Sequence, residues 1–166
     1  MKKQSMVERK MMQADWSRTS QKTGNVTFTS CSSEGKPILL KLVNARVAFE
    51  PSVYGGDGTE MRKSICFTHV QDDAMAIVKA MEETLEEGTC SCVKEDLLKT
   101  KVSVDKVRIF DASRNRTEPP KTWQGWEVNA MVRIRGRWET RTQHGLCLEL
   151  TDMQLLQEAS EATCPF

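Results

Sequence analysis

Arg133, Arg135 and Arg137 recur at every second position within the segment Glu127–Trp138. On an extended chain, residues two apart share a face and lie about 7 Å from one another, from a rise of roughly 3.3 Å per residue. That interval is close to the phosphate spacing of an extended nucleic-acid strand. A guanidinium can fork onto phosphate oxygens and stack on bases. A solvated edge strand that uses cations to discourage aggregation has the same pattern. Just upstream, Arg114, Arg116 and Lys121 precede Trp123 and Trp126. Aromatic faces beside cations suit sequence-tolerant gripping of a single strand, since every base offers a face and every nucleotide a phosphate. Trp126 reads as a plug for the end of a core. Trp123 suits either a core or a stacking role, and Trp138, on the apolar side of its segment, reads as core. Tyr54 opens the run Tyr54-Gly55-Gly56-Asp57-Gly58, with Arg62 and Lys63 just after it. A tyrosine there either closes over a base or packs. The run lacks the Lys-Ser/Thr and the helix start of a phosphate-binding loop.

Cys66-x-x-His69 and Cys90-x-Cys92 contain zinc-ligating residue types. On a regular strand Cys66 and His69 point to opposite faces, and C-x-C is not the usual C-x-x-C spacing, so reduced thiols without metal are expected. The chain has two histidines, His69 and His144, and shows neither a Ser-His-Asp arrangement nor a G-x-S-x-G elbow. Its carboxylates gather on one helix face, where solvation accounts for them. The expectation is a binding protein, not an enzyme, with no cofactor.

These residues need elements to hold them. Val128, Ala130, Val132 and Ile134 alternate with the polar positions of Glu127–Trp138, which marks the clearest strand. Gly145–Leu150 reads as its returning partner. Pro37–Phe49 reads as a strand with Val43, Ala45, Val47 and Phe49 on one face, followed by a second strand at Lys63–Val70 and a short one at Lys106–Phe110. Asp72–Glu87 reads as an amphipathic helix with acidic residues suited to its first turn, the stripe Ile77, Val78, Met81 and Leu85, and Gly88 as its stop. Residues 92–101 are expected to add a helical turn, and Asp111–Thr122 to be an irregular polar loop. The class is mainly β with one or two helices.

The 166 residues, 39% of them hydrophobic, suffice for one domain with a core and polar ends. A net charge of +1 hides alternating blocks. Residues 1–24 and 108–141 each carry a net +4, 71–105 a net −5, and 142–166 a net −4. The expected organisation is a flexible basic arm over 1–30, a binding domain over 31–156 and an acidic tail over 157–166. Met1-Lys2-Lys3-Gln4-Ser5 is not followed by an apolar stretch, and no run reaches membrane-span length. An intracellular protein, cytoplasmic or nuclear and not secreted, is expected, with its six cysteines as free thiols.

The order of elements resembles the OB-fold single-stranded DNA-binding proteins of tailed phages and some large DNA viruses, over about residues 38–156. The residues that carry the likeness are Trp123, Gly125, Val128, Ala130, Val132, Gly136-Arg137-Trp138, and Gly145-Leu146 through Gln154. The resemblance implies a small barrel with a helix between strand pairs that binds single-stranded DNA in replication, recombination or repair. Tyr54, Arg62, Lys63, Arg114, Arg116, Lys121, Trp123, Arg133, Arg135 and Arg137 are the candidates for contact. The terminal Pro165-Phe166, after Glu158 and Glu161, is similar to the end of bacterial single-strand binding proteins, which docks on replication and repair partners. RNA in place of DNA, a protein-interaction adaptor built on the same barrel, and assembly into a homo-oligomer remain open at this level.

Overall fold

Period-two alternation becomes strand almost everywhere the sequence shows it. The computed structural model describes residues 14–17, 21–53 and 62–158. Its strands are β1 (Ala14–Trp16), β2 (Gln21–Thr23), β3 (Val26–Ser33), β4 (Ile38–Val47), β5 (Ser52–Val53) and β6 (Arg62–Thr68). After the helix α1 (Asp72–Glu83) come β7 (Val93–Lys94), β8 (Leu97–Ser103), β9 (Arg108–Phe110), β10 (Arg116–Thr117), β11 (Glu127–Glu139) and β12 (His144–Gln157).

Five strands close into a ring: β4 pairs with β6, β6 with β8, β8 with β12, β12 with β11, and β11 with β4. Only the β8–β12 contact is parallel within this ring. This is the mainly β, OB-like barrel expected, with α1 between β6 and β8 in the chain. Closure removes the free edges that an open sheet would expose. The interior is apolar, built on Leu40, Leu42, Ile65, Phe67, Leu98, Ile134, Leu148 and Leu150, each no more than 2% exposed. Thr100 is the buried polar residue among those described, and its hydroxyl donates to the Ile65 carbonyl at 3.1 Å.

Helix α1 lays Ala74, Met75, Ile77, Val78, Ala80 and Met81 against this interior. Asp73 accepts the Ala74 N–H at 2.8 Å. The Gln71 side chain accepts the Val43 N–H at 3.2 Å and donates to the Lys41 carbonyl, which fastens the helix start to β4. The helix stops at Glu83, short of the expected Glu87. There the Thr84 hydroxyl takes the Met81 carbonyl at 2.6 Å, competing with continuation of the helix.

Other departures from the sequence reading share one cause, pairing with residues far away in the chain. Residues 97–103 are a central strand, not a helical turn, because β6 on one side and β12 on the other supply its partners. β12 runs to Gln157, beyond the expected Leu150, since β11 continues beside it to Glu127. Within the stretch read as an arm over 1–30, residues 14–16, 21–23 and 26–30 lie in strands. β3 pairs with the end of β11, from Gly136 opposite Ser30 to Glu139 opposite Thr27, and β1 and β2 pair with β3. In β4 the inward set switches from Ile38, Leu40 and Leu42 to Ala45 and Val47. The β4 segment from Leu42 to Ala45 is one residue longer than the β11 segment it faces, Val128 to Ala130, and Asn44 stands at φ 53°. This bulge leaves Val43 exposed instead of sharing a face with Ala45 and Val47.

Candidate nucleic-acid interface

The outer face of the barrel is read from the same pairings. Lys101 of β8 lies beside Glu149 of β12, which lies opposite Arg133 of β11. Lys99, exposed, is two residues before Lys101 on the same face. Between Ile134, opposite Leu148, and Gly136, opposite Cys147, β11 carries one residue too many, Arg135. A one-residue bulge moves all later side chains to the other face. Arg137 therefore falls opposite the buried Leu146, and Trp138 opposite Gly145 on the outer side.

This corrects two sequence expectations. Arg137 is not part of an arginine row. Its side chain is 21% exposed, and it pairs with Glu86 at 3.6 Å and Glu139 at 3.4 Å. Trp138 is not core but half-buried, with the Lys101 ammonium 5.8 Å from the centre of its ring. A Cβ on Gly145 would lie 3.1 Å from the Trp138 Nε1, so the indole lies across a bare backbone. One strand over, the Arg135 guanidinium sits 5.6 Å from the ring centre of Phe28 in β3 and pairs with Glu149 at 3.0 Å. Two aromatic rings, each with its own cation, thus lie side by side, since Phe28 is opposite Trp138. Arg133, opposite Glu149 of β12, is half-buried, its Nε shielded and without a hydrogen-bond partner among the described residues. A cleft of about 110 Å³ opens beside the indole, lined in part by Cys90, Ser91, Lys99 and Lys101.

The thiols beneath this face are quiet. Burial pushes Cys31 up from 9.0 to about 11 and Cys92 up to about 12, and raises Cys147 as well. Cys31 donates to the Ile134 carbonyl and Cys92 to the Leu146 carbonyl, each at 3.5 Å. Among the described residues no three metal-ligating side chains come together. Cys66, His69, Cys90 and Cys92 are not gathered into one such group.

Trp123, a stacking candidate, is 7% exposed and belongs to the core. Its N–H and that of Gln124 donate to the Glu50 carboxylate at 2.8 and 2.6 Å, which folds the turn so that the ring points inward. Trp126 is half-buried against the same core. Lys121 is exposed on this loop, and Lys63, half-buried in β6, lies opposite Val102. Arg114 and Arg116 belong to the β9–β10 hairpin. The Arg62 backbone opens β6, while Tyr54, Pro165 and Phe166 lie outside the described residues, as does the Arg62 side chain. Sequence reasoning missed Phe28, Lys99 and Lys101. Lys99 and Lys101 were legible only as alternation in β8, and it is the pairing of β8 with β12, β12 with β11 and β11 with β3 that brings them near Phe28 and Trp138.

No protein-family model matches the chain, and no curated protein matches it. Solved structures do. The C-terminally truncated single-stranded DNA-binding protein from bacteriophage Enc34 superposes with a TM-score of 0.52 at 16% identity, over 84% of this chain and 94% of that one. The same phage protein in complex with ssDNA gives 0.50 at 17%, over 87% and 96%. Bacteriophage T7 gp2.5, a single-stranded DNA binding protein, gives 0.50 at 9%, over 78% and 91%. At these identities the likeness is one of fold: the chain has the barrel of these phage proteins.

Proposed function

We propose that this chain binds single-stranded DNA on the outer face of β8, β12 and β11, without sequence preference and without chemistry. The observation that carries the reading is the pair of cation-flanked rings, Trp138 with Lys101 and Phe28 with Arg135. Rings of this kind stack on any base while their cations meet phosphates. The barrel type supports it in part, because OB-folds bind oligonucleotides with their third strand, here β8, and with the loop between their fourth and fifth strands, here the β11–β12 turn just after Trp138, as well as with their second strand, β6. The likeness to phage proteins named for single-strand binding points the same way. In this reading Arg133 supplies a further cation, and the chain serves DNA replication, recombination or repair by holding strands open. Pro165-Phe166 is the proposed docking end for partner proteins.

Titration of oligo-deoxythymidine against intrinsic tryptophan fluorescence tests the proposal. Quenching is expected, and Trp138→Ala should lower affinity by about 1–3 kcal/mol. An unchanged affinity in both Trp138→Ala and Lys101→Ala would move the site off this face. Competition by RNA of matched sequence reads the choice of sugar directly.

A further inference from the structure

A second aromatic ring with cations lies on the same outer surface, away from the first. Phe110 in β9 is half-buried, with the Arg108 guanidinium 6.0 Å and the Arg116 guanidinium 5.9 Å from its ring centre. Arg116 is the cross-strand partner of Phe110, and Arg108 is two residues before it, so all three share a face. Phe110 lies beside Gln154 of β12, and Arg108 beside Asp152. Gln154 and Asp152 are outward residues of the strand that carries Cys147 and Glu149 under the first site, while Met153 and Leu155 point inward.

The hairpin is also held in place. The Asn44 N–H donates to Asn129 Oδ1 at 3.0 Å, Asn129 Nδ2 to Gln154 Oε1 at 3.0 Å, and Gln154 Nε2 to the Ala112 carbonyl at 3.2 Å. This chain of amides crosses β4, β11 and β12 and ends in the turn of the hairpin. The turn itself is closed by Asp111, which accepts the Asn115 N–H at 2.9 Å. The acids on the way between the two sites do not stand alone. Glu149 is paired with Arg135, and Asp152 with Arg108. Both are solvent-facing pairs, which phosphate can displace at small cost.

We infer that Phe110, between Arg108 and Arg116, is a second base-stacking surface, and that one DNA strand runs along the outside of β12 from Trp138 to reach it. The inference rests on the single-strand reading above and extends the path beyond the barrel face. From Gly145, under Trp138, to Gln154, beside Phe110, the path follows β12 for at most about 30 Å at a strand rise of roughly 3.3 Å per residue. Single OB-folds cover about 4–16 nucleotides, so a path with two stations falls in the normal range.

Oligo-deoxythymidines from about 4 to about 16 nucleotides, titrated into the full chain and into Trp138→Ala, Phe110→Ala and Phe110→Leu, test this. Affinity of the parent should climb in two stages with length. Both Phe110 variants should lose the second stage, roughly tenfold on the longest oligomers, and keep the parent's affinity for the shortest. Trp138→Ala should weaken binding at every length. Leucine keeps the apolar packing, so a loss shared by both Phe110 variants belongs to the ring face. If the Phe110→Leu variant matches the parent at every length, or loses equally at all of them, the hairpin is no stacking surface and the inference falls while the barrel-face reading stands. If the parent binds no oligomer, the barrel-face reading falls and takes this path with it.

Discussion

At the scale of single residues, the tryptophans and the described cysteines sort by burial, not by chemical type. Trp123 and Trp138 have the same side chain. One is turned into the core by a carboxylate 73 positions away, and the other is turned out by a bulge three residues before it. The thiols show what the same burial does to ionisation. Cys31 and Cys92 keep their protons in the folded chain to about 11 and about 12, while the unfolded chain releases them near 9.0. Between these values the unfolded state binds fewer protons than the folded one, so stability is intact below pH 9 and falls as pH rises through 11–12. Urea midpoints at pH 7.5, 9 and 10.5 should decline over the upper interval. A Cys31→Ala/Cys92→Ala variant should decline less, and an equal decline in both would assign the loss to other groups.

At the scale of elements, β11 shows how one strand serves two neighbours. Its first part pairs with β4 as far as Ile134, and its last part, from Gly136, pairs with β3. The handover falls at the Arg135 bulge, where the twist of the strand sharpens. Gly136 is there because β3 comes too close for any side chain. A Cβ would strike the Thr29 carbonyl oxygen and lie 2.8 Å from the Ser30 Cα. Gly136→Ala should therefore cost about 1–3 kcal/mol, the usual penalty for overpacking. The loss should be local. Hydrogen exchange should quicken in Val26–Ser33, while Ile65–Phe67 and Leu98–Val102, inside the ring, stay protected. Uniform quickening across both sets would show that β3 is part of the barrel's cooperative unit, and unchanged exchange would show that β3 accommodates the methyl group.

At the scale of the whole molecule, a near-neutral chain presents a face that is not neutral. The acids of residues 71–105 lie largely on exposed positions of α1 and the turns after it, while Lys99, Lys101, Arg133 and Arg135 gather across the ring. Binding by phosphate neutralisation leaves a signature in salt. On single strands the slope of log affinity against log salt is roughly −0.7 per phosphate contact. Lys101→Ala and Arg135→Ala should each flatten that slope by about 0.7. Arg137→Ala, which removes a cation engaged with Glu86 and Glu139, should leave it unchanged. A flattening by Arg137→Ala equal to the others would restore the three-arginine row that alternation alone suggests.

The sequence by itself determined the class, the helix beginning at Asp72 though not its end at Glu83, the strands β4, β6 and β11, and the apolar set Val128, Ala130, Val132 and Ile134. These are local signals, periods of two and of 3.6 written over consecutive residues. It also pointed to Arg133 and Arg135 as outward cations and to Arg114 and Arg116 as basic residues near the Trp123 loop. Only the tertiary structure decided the rest. Whether a strand carries an extra residue depends on what it pairs with, so the bulge at Arg135 and the exchange of Arg137 for Trp138 could not be read from alternation. Phe28, Lys101 and Trp138 lie more than 30 positions apart in the chain, and only strand pairing makes them neighbours: β3 with the end of β11 for Phe28, and β8 through β12 to β11 for Lys101. Trp123 was undecided for the same reason: the Glu50 carboxylate that turns it inward is a partner that local sequence does not contain.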